Sequence, residues 1–258
     1  MTQETGDAVR VDARDGVLTI TINRPEKRNA VNREVAESIS AALDRLDADS
    51  SLRVGVLTGA GETFCAGLDL GAFARGEVAR SATRGFAGIV EKPPTKPLIG
   101  AAEGWALGGG LEILLCCDLI VAAETARFGL PEVTRGLVAR GGGAIRLTQR
   151  LPRSRALEML LTGEPMTAEE AWRFGLVNKL AADGEALGTA TELARLIAAN
   201  APLAVAASKR VALESPSWPV EDSFALQGAI LEPVFSSEDA REGALAFQER
   251  RPARWSGR

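Results

Sequence analysis

Phe64-Cys65-Ala66-Gly67-Leu68-Asp69 follows the short apolar run Val54-Gly55-Val56-Leu57-Thr58, and Gly108-Gly109-Gly110-Leu111-Glu112 follows Pro97-Leu98-Ile99-Gly100-Ala101-Ala102. Each is a glycine-rich turn set on the end of a strand, and the second opens a helical stretch. Glycine lets a backbone N–H come close to a bound group, and the first turn of a helix leaves its N–H groups without intrahelical acceptors. Two such turns side by side aim two donors at one oxygen, which is an oxyanion hole. The same glycines also serve tight turns and close packing, and spacing alone does not choose between these roles.

Working outward, Val17-Leu18-Thr19-Ile20-Thr21-Ile22 alternates as a strand and is ended by Arg24-Pro25. From Asn32, a candidate N-cap, Val35, Ile39, Leu43 and Leu46 recur on one helical face. Leu119-Ile120-Val121-Ala122 predicts a fourth strand, and the segment 107–117 before it is helical in character once past its glycines. Between 70 and 96 the pattern is poor. Gly76, Gly85, Gly88 and the stop at Lys92-Pro93-Pro94 predict a mobile segment with at most one short helix. A helix over 152–161 starts at a proline-tolerant first turn, and Thr167-Ala168-Glu169-Glu170 is a capping box. After Val177-Asn178-Lys179-Leu180, helices are predicted over 185–199, 203–214, 220–235 and 238–250. Strands with interleaved helices followed by helices alone predict an α/β core with a helical C-terminal extension. The division falls at 1–181 for the core and 182–258 for the extension.

Composition narrows the chemistry through two absences. The 258 residues include no His and no Tyr. That excludes Ser-His-Asp and Cys-His machinery, His-ligated metals and a phenolic acid, so proton transfer falls to carboxylates, Lys, Cys or water. Cys65, Cys116 and Cys117 form no metal-binding spacing and read as small buried apolar groups of a reducing compartment. The first sixteen residues are polar and lack an apolar signal core, and Glu112 and Asp118 interrupt the longest apolar stretch. With 30 Lys+Arg against 34 Asp+Glu and no long basic run, nothing invites nucleic acid. A cytoplasmic protein is expected. Gly59-Ala60-Gly61 follows a strand, but the third glycine of a dinucleotide fingerprint falls on Phe64. Gly141-Gly142-Gly143 also precedes a helical pattern without the acidic partner that nucleotide binding requires.

Glu112 falls in the first turn of an apolar helix, and Glu132 follows Pro131 at the head of Val133-Thr134-Arg135-Gly136-Leu137-Val138. A lone carboxylate in such a position is commonly a partner of the helix dipole. Together, in a chain without His and Tyr, the two form the best available acid–base pair. Arg135 and Arg140 lie close to Glu132 in sequence and lower its pKa if they turn inward.

These residues resemble the crotonase family, the enoyl-CoA hydratase/isomerase superfamily. The resemblance runs through Asn23-Arg24-Pro25-Glu26-Lys27-Arg28-Asn29-Ala30, the two glycine turns, Phe128-Gly129-Leu130-Pro131-Glu132, Gly136-Leu137, Gly142-Gly143, Leu161-Thr162-Gly163 and Gly175-Leu176-Val177-Asn178, and ends in Glu242-Gly243, Phe247, Arg250 and Trp255. It implies a spiral of ββα units whose helical C-terminal part drives homotrimers or dimers of trimers. It implies an acyl-CoA thioester as ligand, with no metal and no cofactor beyond the coenzyme A of the substrate. By position, the N–H groups of Leu68 and Gly109 hold the thioester oxygen. The main chain at Ala66 faces the adenine, with Gly67, Asp69, Leu70 and Gly108 beside the ligand. Lys27, Arg28 and Arg250 approach CoA, Arg250 as part of a neighbouring subunit; a plain surface-charge reading of these three is equally open.

Glu112 and Glu132 fill both positions that family hydratases give to glutamate, which favours adding water across the 2,3 double bond of an enoyl-CoA. Glu112 deprotonates the water and Glu132 delivers a proton to C2. Three features depart from the usual pattern: Glu103 in place of Asn, Ala139-Arg140 in place of Pro-Gly, and a short 71–92 segment in which Phe73, Phe86, Ile89 and Val90 are the large apolar groups. An isomerase remains an alternative, as does a carnitinyl/crotonobetainyl-CoA hydratase-like enzyme, which Val138-Ala139 resembles. A catalytically silent acyl-CoA-binding protein is the rival of another class, and a dinucleotide-dependent oxidoreductase is the most distant.

Overall fold

The structure, a computed structural model, describes residues 8–258, so only 8–16 of the polar N-terminal stretch lie within it. Strands β1 (Val9–Arg14) and β2 (Val17–Ile22) form a hairpin closed by Asp15 and Gly16, both at positive φ, 53° and 77°. That is the backbone a two-residue hairpin turn needs to match the strand twist. The chain continues through α1 (Arg33–Ala48), β3 (Val54–Gly59), α2 (Leu70–Ala74), β4 (Arg80–Ser81), β5 (Gly85–Phe86), β6 (Leu98–Ala102), β7 (Trp105–Leu107) and α3 (Gly109–Leu114). Next come β8 (Leu119–Ala123), β9 (Arg127–Gly129), a 3₁₀ turn (Pro131–Arg135), α4 (Gly143–Arg150), α5 (Arg153–Thr162), β10 (Met166–Thr167), α6 (Ala168–Arg173) and β11 (Lys179–Ala181). Four helices follow: α7 (Ala186–Ala198), α8 (Pro202–Glu214), α9 (Ser223–Phe235) and α10 (Glu238–Glu249).

The main sheet has the order β1-β2-β3-β6-β8-β11, with every neighbouring pair parallel except the β1–β2 hairpin. Its inner strands are apolar along their length because helices and a second sheet cover them. On one face lie Val35, Ile39, Leu43 and Leu46 of α1, whose N-cap Asn32 accepts the Val35 N–H. On the other, Ala186, Ala190 and Ala194 of α7 pack against Val17, Val54, Val56, Ile99 and Val121. The α7 stretch, expected in the helical extension, is therefore a layer of the core. Glu103, the departure from Asn, accepts the N–H groups of Gly184 (3.1 Å) and Ala186 (2.9 Å) at the start of that helix. A smaller sheet has the order β10-β9-β7.

Two expectations need correction. Within 107–117 the helix does not wait for its glycines to end: α3 starts at Gly109 and spans six residues, and Leu107 before it ends β7, where it pairs with Gly129. The 70–96 segment, expected to be mobile, is tied down at Arg84, which is buried and locked. Its guanidinium bonds Asp44 (2.9 Å), Asp47 (2.9 Å) and the carbonyl of Lys92 (2.7 Å), tying the segment to α1. Loss of its carboxylate partners would leave the buried Arg84 charge uncompensated, since Arg84 is 1% exposed while Asp44 is 57% exposed.

No single helix among the described residues is long and apolar enough to cross a membrane. The helices α8 to α10 carry large apolar groups outward: α9 has no buried residue, and Phe224, Phe235 and Phe247 are all strongly exposed.

Candidate active site

The first glycine turn is laced between two neighbours. Leu68 pairs with Val31 on one side and Cys65 with Ala106 on the other. Gly67 sits at φ +92°, and a Cβ there would lie 2.8 Å from the carbonyl oxygen of Leu107 and 3.0 Å from the nitrogen of Gly109. The two turns thus touch backbone to backbone, which only glycine permits. Among the described residues, neither the N–H of Leu68 nor that of Gly109 has an acceptor. The ring of Phe86 closes over Gly109, where a Cβ would meet it at 2.6 Å. Two free donors under an aromatic lid are suited to an oxygen that gains charge.

Glu112 is 4% exposed in α3, all six residues of which are buried. Its Oε1 accepts the N–H of Gly143 at 2.8 Å. Burial raises its pKa; the main-chain groups of Gly143 and Gly141 pull it back, and the nearby charge of Glu132 pushes it further up. Glu132 lies half-buried on the 3₁₀ turn, with Oε1 near Gly108, and its Oε2 is buried without a hydrogen-bond partner among the described residues. Burial also raises the Glu132 pKa, opposed by its own main chain and by Arg135. Arg135 and Arg140 are both exposed, so neither enters the site, although Arg135 acts on Glu132 through its charge. The three cysteines are free and buried, and burial pushes the Cys65 and Cys116 thiols up to about 12, which leaves them as protonated packing groups.

A cavity of about 1020 Å³ adjoins the first turn, lined by Arg28, Ala66, Trp105 and Leu107 among others. Ala66 gives its N–H to the carbonyl of Arg28, and its own carbonyl has no donor among the described residues. Lys27 and Leu70 are exposed, and Lys27 is next to Arg28 on a short 3₁₀ turn. Gly108 gives its N–H to Gly129 and precedes α3.

The Asp69 carboxylate is used within the protein: Oδ1 accepts the N–H of Ala72 (3.0 Å) and Oδ2 the guanidinium of Arg24 (2.9 Å). Arg250 caps α10 at φ +54° and is not among the residues lining the cavity. Sequence reasoning missed Gly143 as the donor that holds Glu112; the signal was the triplet Gly141-Gly142-Gly143 ahead of a helix. It also missed Asn29, fully buried, whose amide bonds the carbonyls of Ala60 (2.9 Å) and Thr63 (2.7 Å).

The enoyl-CoA hydratase/isomerase family model matches residues 12–258. The chain belongs to that family. A carnitinyl-CoA dehydratase of Proteus mirabilis is 42% identical over 97% of this chain and 99% of its own. The enoyl-CoA hydratase EchA19 of Mycobacterium tuberculosis is 41% identical over 100% and 99%. Among solved structures, the enoyl-CoA hydratase EchA1 of Mycobacterium marinum superposes with a TM-score of 0.96 at 55% identity, covering 98% of this chain and 100% of that one. The fold is the α/β crotonase fold, and the protein is a lyase-type enzyme of the enoyl-CoA hydratase kind.

Proposed function

We propose that the protein adds water across the 2,3 double bond of an enoyl-CoA thioester. The Leu68 and Gly109 N–H groups hold the thioester oxygen as it takes on enolate charge, each such donor contributing about 3–4 kcal/mol to the transition state. Glu112, ionised, takes a proton from the water whose oxygen bonds C3. Glu132, protonated, gives its proton to C2 as the enolate collapses. One water is consumed, and the site resets when the proton on Glu112 returns to Glu132.

The observation that carries this reading is the contrast in hydrogen bonding between the two carboxyls. Donors to Glu112 favour its anion, while the orphaned Oε2 of Glu132 favours the protonated form. The charge of Glu132 also raises the Glu112 pKa, so protonating Glu132 makes ionised Glu112 easier to hold. The coenzyme's nucleotide end is assigned to the cavity at Arg28 and Ala66, with Lys27 on its rim. The exposed apolar surface of α9 supports assembly as a homotrimer or dimer of trimers, in which Arg250 is free to serve a neighbouring subunit's ligand. A carnitinyl-type acyl group is the second reading, supported by the 42% identity to the Proteus dehydratase.

The test is loss of the conjugated-thioester absorbance of crotonyl-CoA with purified protein, set against Glu132→Gln. Rapid loss that the variant lacks is expected. Saturable binding without loss in the wild type would move the assignment to the second reading or to a binding protein.

A further inference from the structure

The turn that carries Lys27 and Arg28 is strained and unusually well tied. Arg28 and Asn29 are consecutive non-glycine residues at positive φ, 51° and 56°. Such backbone persists only where the surroundings over-determine it. Here Asn29 is fully buried, accepts the N–H of Arg24 (3.0 Å) and donates to Ala60 and Thr63. The Cys65 thiol donates to the Asn29 carbonyl (3.1 Å), Val31 donates to Gly67 (2.7 Å), and Asp69 donates to Val31 (2.9 Å). Across these, Arg24 clamps both sides at once, with one guanidinium nitrogen on the Ala30 carbonyl and another on Asp69. Asp69 is the residue immediately after Leu68, and its other oxygen caps α2.

We infer that the Arg24–Asp69 pair is a coupling latch: it links the turn bearing Arg28 to the segment carrying the Leu68 amide, so that occupancy of the nucleotide end of the site fixes the donor that stabilises the enolate. This rests on the acyl-CoA reading above. Both side chains of the pair are about 85% shielded (15% and 14% exposed), which keeps the ion pair from being screened away. Arg24 and Asp69 touch no reacting atom and act through Leu68, as positioning residues. The physical benefit is that binding energy from a remote part of the substrate is used in the transition state rather than in ground-state affinity.

The test compares crotonyl-CoA with crotonyl-pantetheine, which lacks the nucleotide, in the wild type, Asp69→Asn and Arg24→Lys. Asp69→Asn keeps an acceptor for Ala72, and thermal melting checks that both variants fold. In the wild type, kcat is higher for the CoA ester. In Asp69→Asn, kcat for the CoA ester falls roughly tenfold or more, KM stays within about threefold, and the pantetheine ester loses several-fold less, so that the advantage of the CoA ester shrinks. Arg24→Lys, which keeps the charge, recovers part of the loss. Equal losses on both esters, a change in KM alone, or no change would each overturn the latch.

A second readout needs no turnover: CoA itself slows amide exchange over residues 64–72 in the wild type and not in Asp69→Asn. Wild type without turnover but with this protection overturns the hydratase reading and keeps the latch. Turnover without a difference between the two proteins does the reverse.

Discussion

Glu112 belongs to a helix in which every residue is buried, and Glu132 to a turn in which none is. The first carboxylate is fixed by a donor from a glycine loop 31 residues downstream; the second keeps one oxygen buried and unanswered. Both have raised pKa values, and in both burial is the largest cause. What separates them is who is already bonded. On the proposed mechanism, the anchored carboxyl is the one that stays ionised and in place, as the base, and the unanswered one holds a proton and offers it. Two residues of one type would then take opposite roles from their hydrogen bonds rather than from their identity.

The largest expected effect tests whether both roles exist. Glu132→Gln and Glu112→Gln should each lower kcat by about 10²–10⁴-fold, with affinity for a CoA ester kept within roughly threefold. Steady-state turnover together with calorimetric binding measures both. A variant that keeps its turnover removes that glutamate from the chemistry and breaks the comparison.

Next in size is the oxyanion site that the glutamates serve. Gly109 has ordinary negative φ, so Ala fits the backbone, but its Cβ meets the Phe86 ring. Gly109→Ala should cost about 10²-fold in kcat by displacing a donor. Phe86→Ala in the same protein should restore part of it, since the clash is with a side chain. No recovery in the double variant would mean that the loss comes from the backbone itself.

The pH profile sharpens the assignment of base and acid. On the proposed mechanism, turnover in the hydration direction requires Glu112 ionised and Glu132 protonated, so kcat/KM should be bell-shaped. Its acid limb should lie above the ordinary carboxylate range because burial raises Glu112, and its alkaline limb reports loss of the Glu132 proton. Arg135 lowers the Glu132 pKa, so Arg135→Gln should move the alkaline limb to higher pH by a small amount, the side chain being exposed. Movement of the acid limb instead would exchange the two roles.

The sequence carried the large elements and the candidate site residues but not the connections between them. Alternation in β2, apolar runs in β3, β6 and β8, the α1 stripe and the Thr167–Glu170 capping box are all local patterns, and each appears where it was read. Strands β7, β9 and β10 are two or three residues long and show no alternation to read. Charged Arg10, Asp12 and Arg14 masked β1, an edge strand whose outer face meets water. The burial of Arg84 and the Gly143 N–H donated to Glu112 depend on partners far along the chain, and nothing in their own neighbourhood announces them. Asp69 shows the same limit in reverse: beside the oxyanion turn in sequence, it faces Arg24 and its own helix cap in space.

The smallest effect concerns stability, and it should differ between the two glutamates. A carboxyl whose folded-state pKa is raised binds its proton more tightly in the native state than in the unfolded chain. Above the folded pKa both states are ionised, and the fold carries the full cost of the buried charge; below the unfolded pKa both are protonated and the cost vanishes. Glu112→Gln removes a buried charge while leaving an oxygen for the Gly143 N–H, so it should raise Tm near neutral pH by about 2–4 °C, what ~1 kcal/mol amounts to in a chain of this size. The gain should shrink as the pH falls through the raised Glu112 pKa towards the ordinary carboxylate range. Glu132→Gln should gain less, because its turn is partly open to water and its unpaired oxygen is replaced by an amide that also needs a partner. Thermal melts of both variants across pH decide it: equal gains, or a larger one at Glu132, would mean that the surroundings of the two carboxyls do not differ in the way their hydrogen bonds indicate.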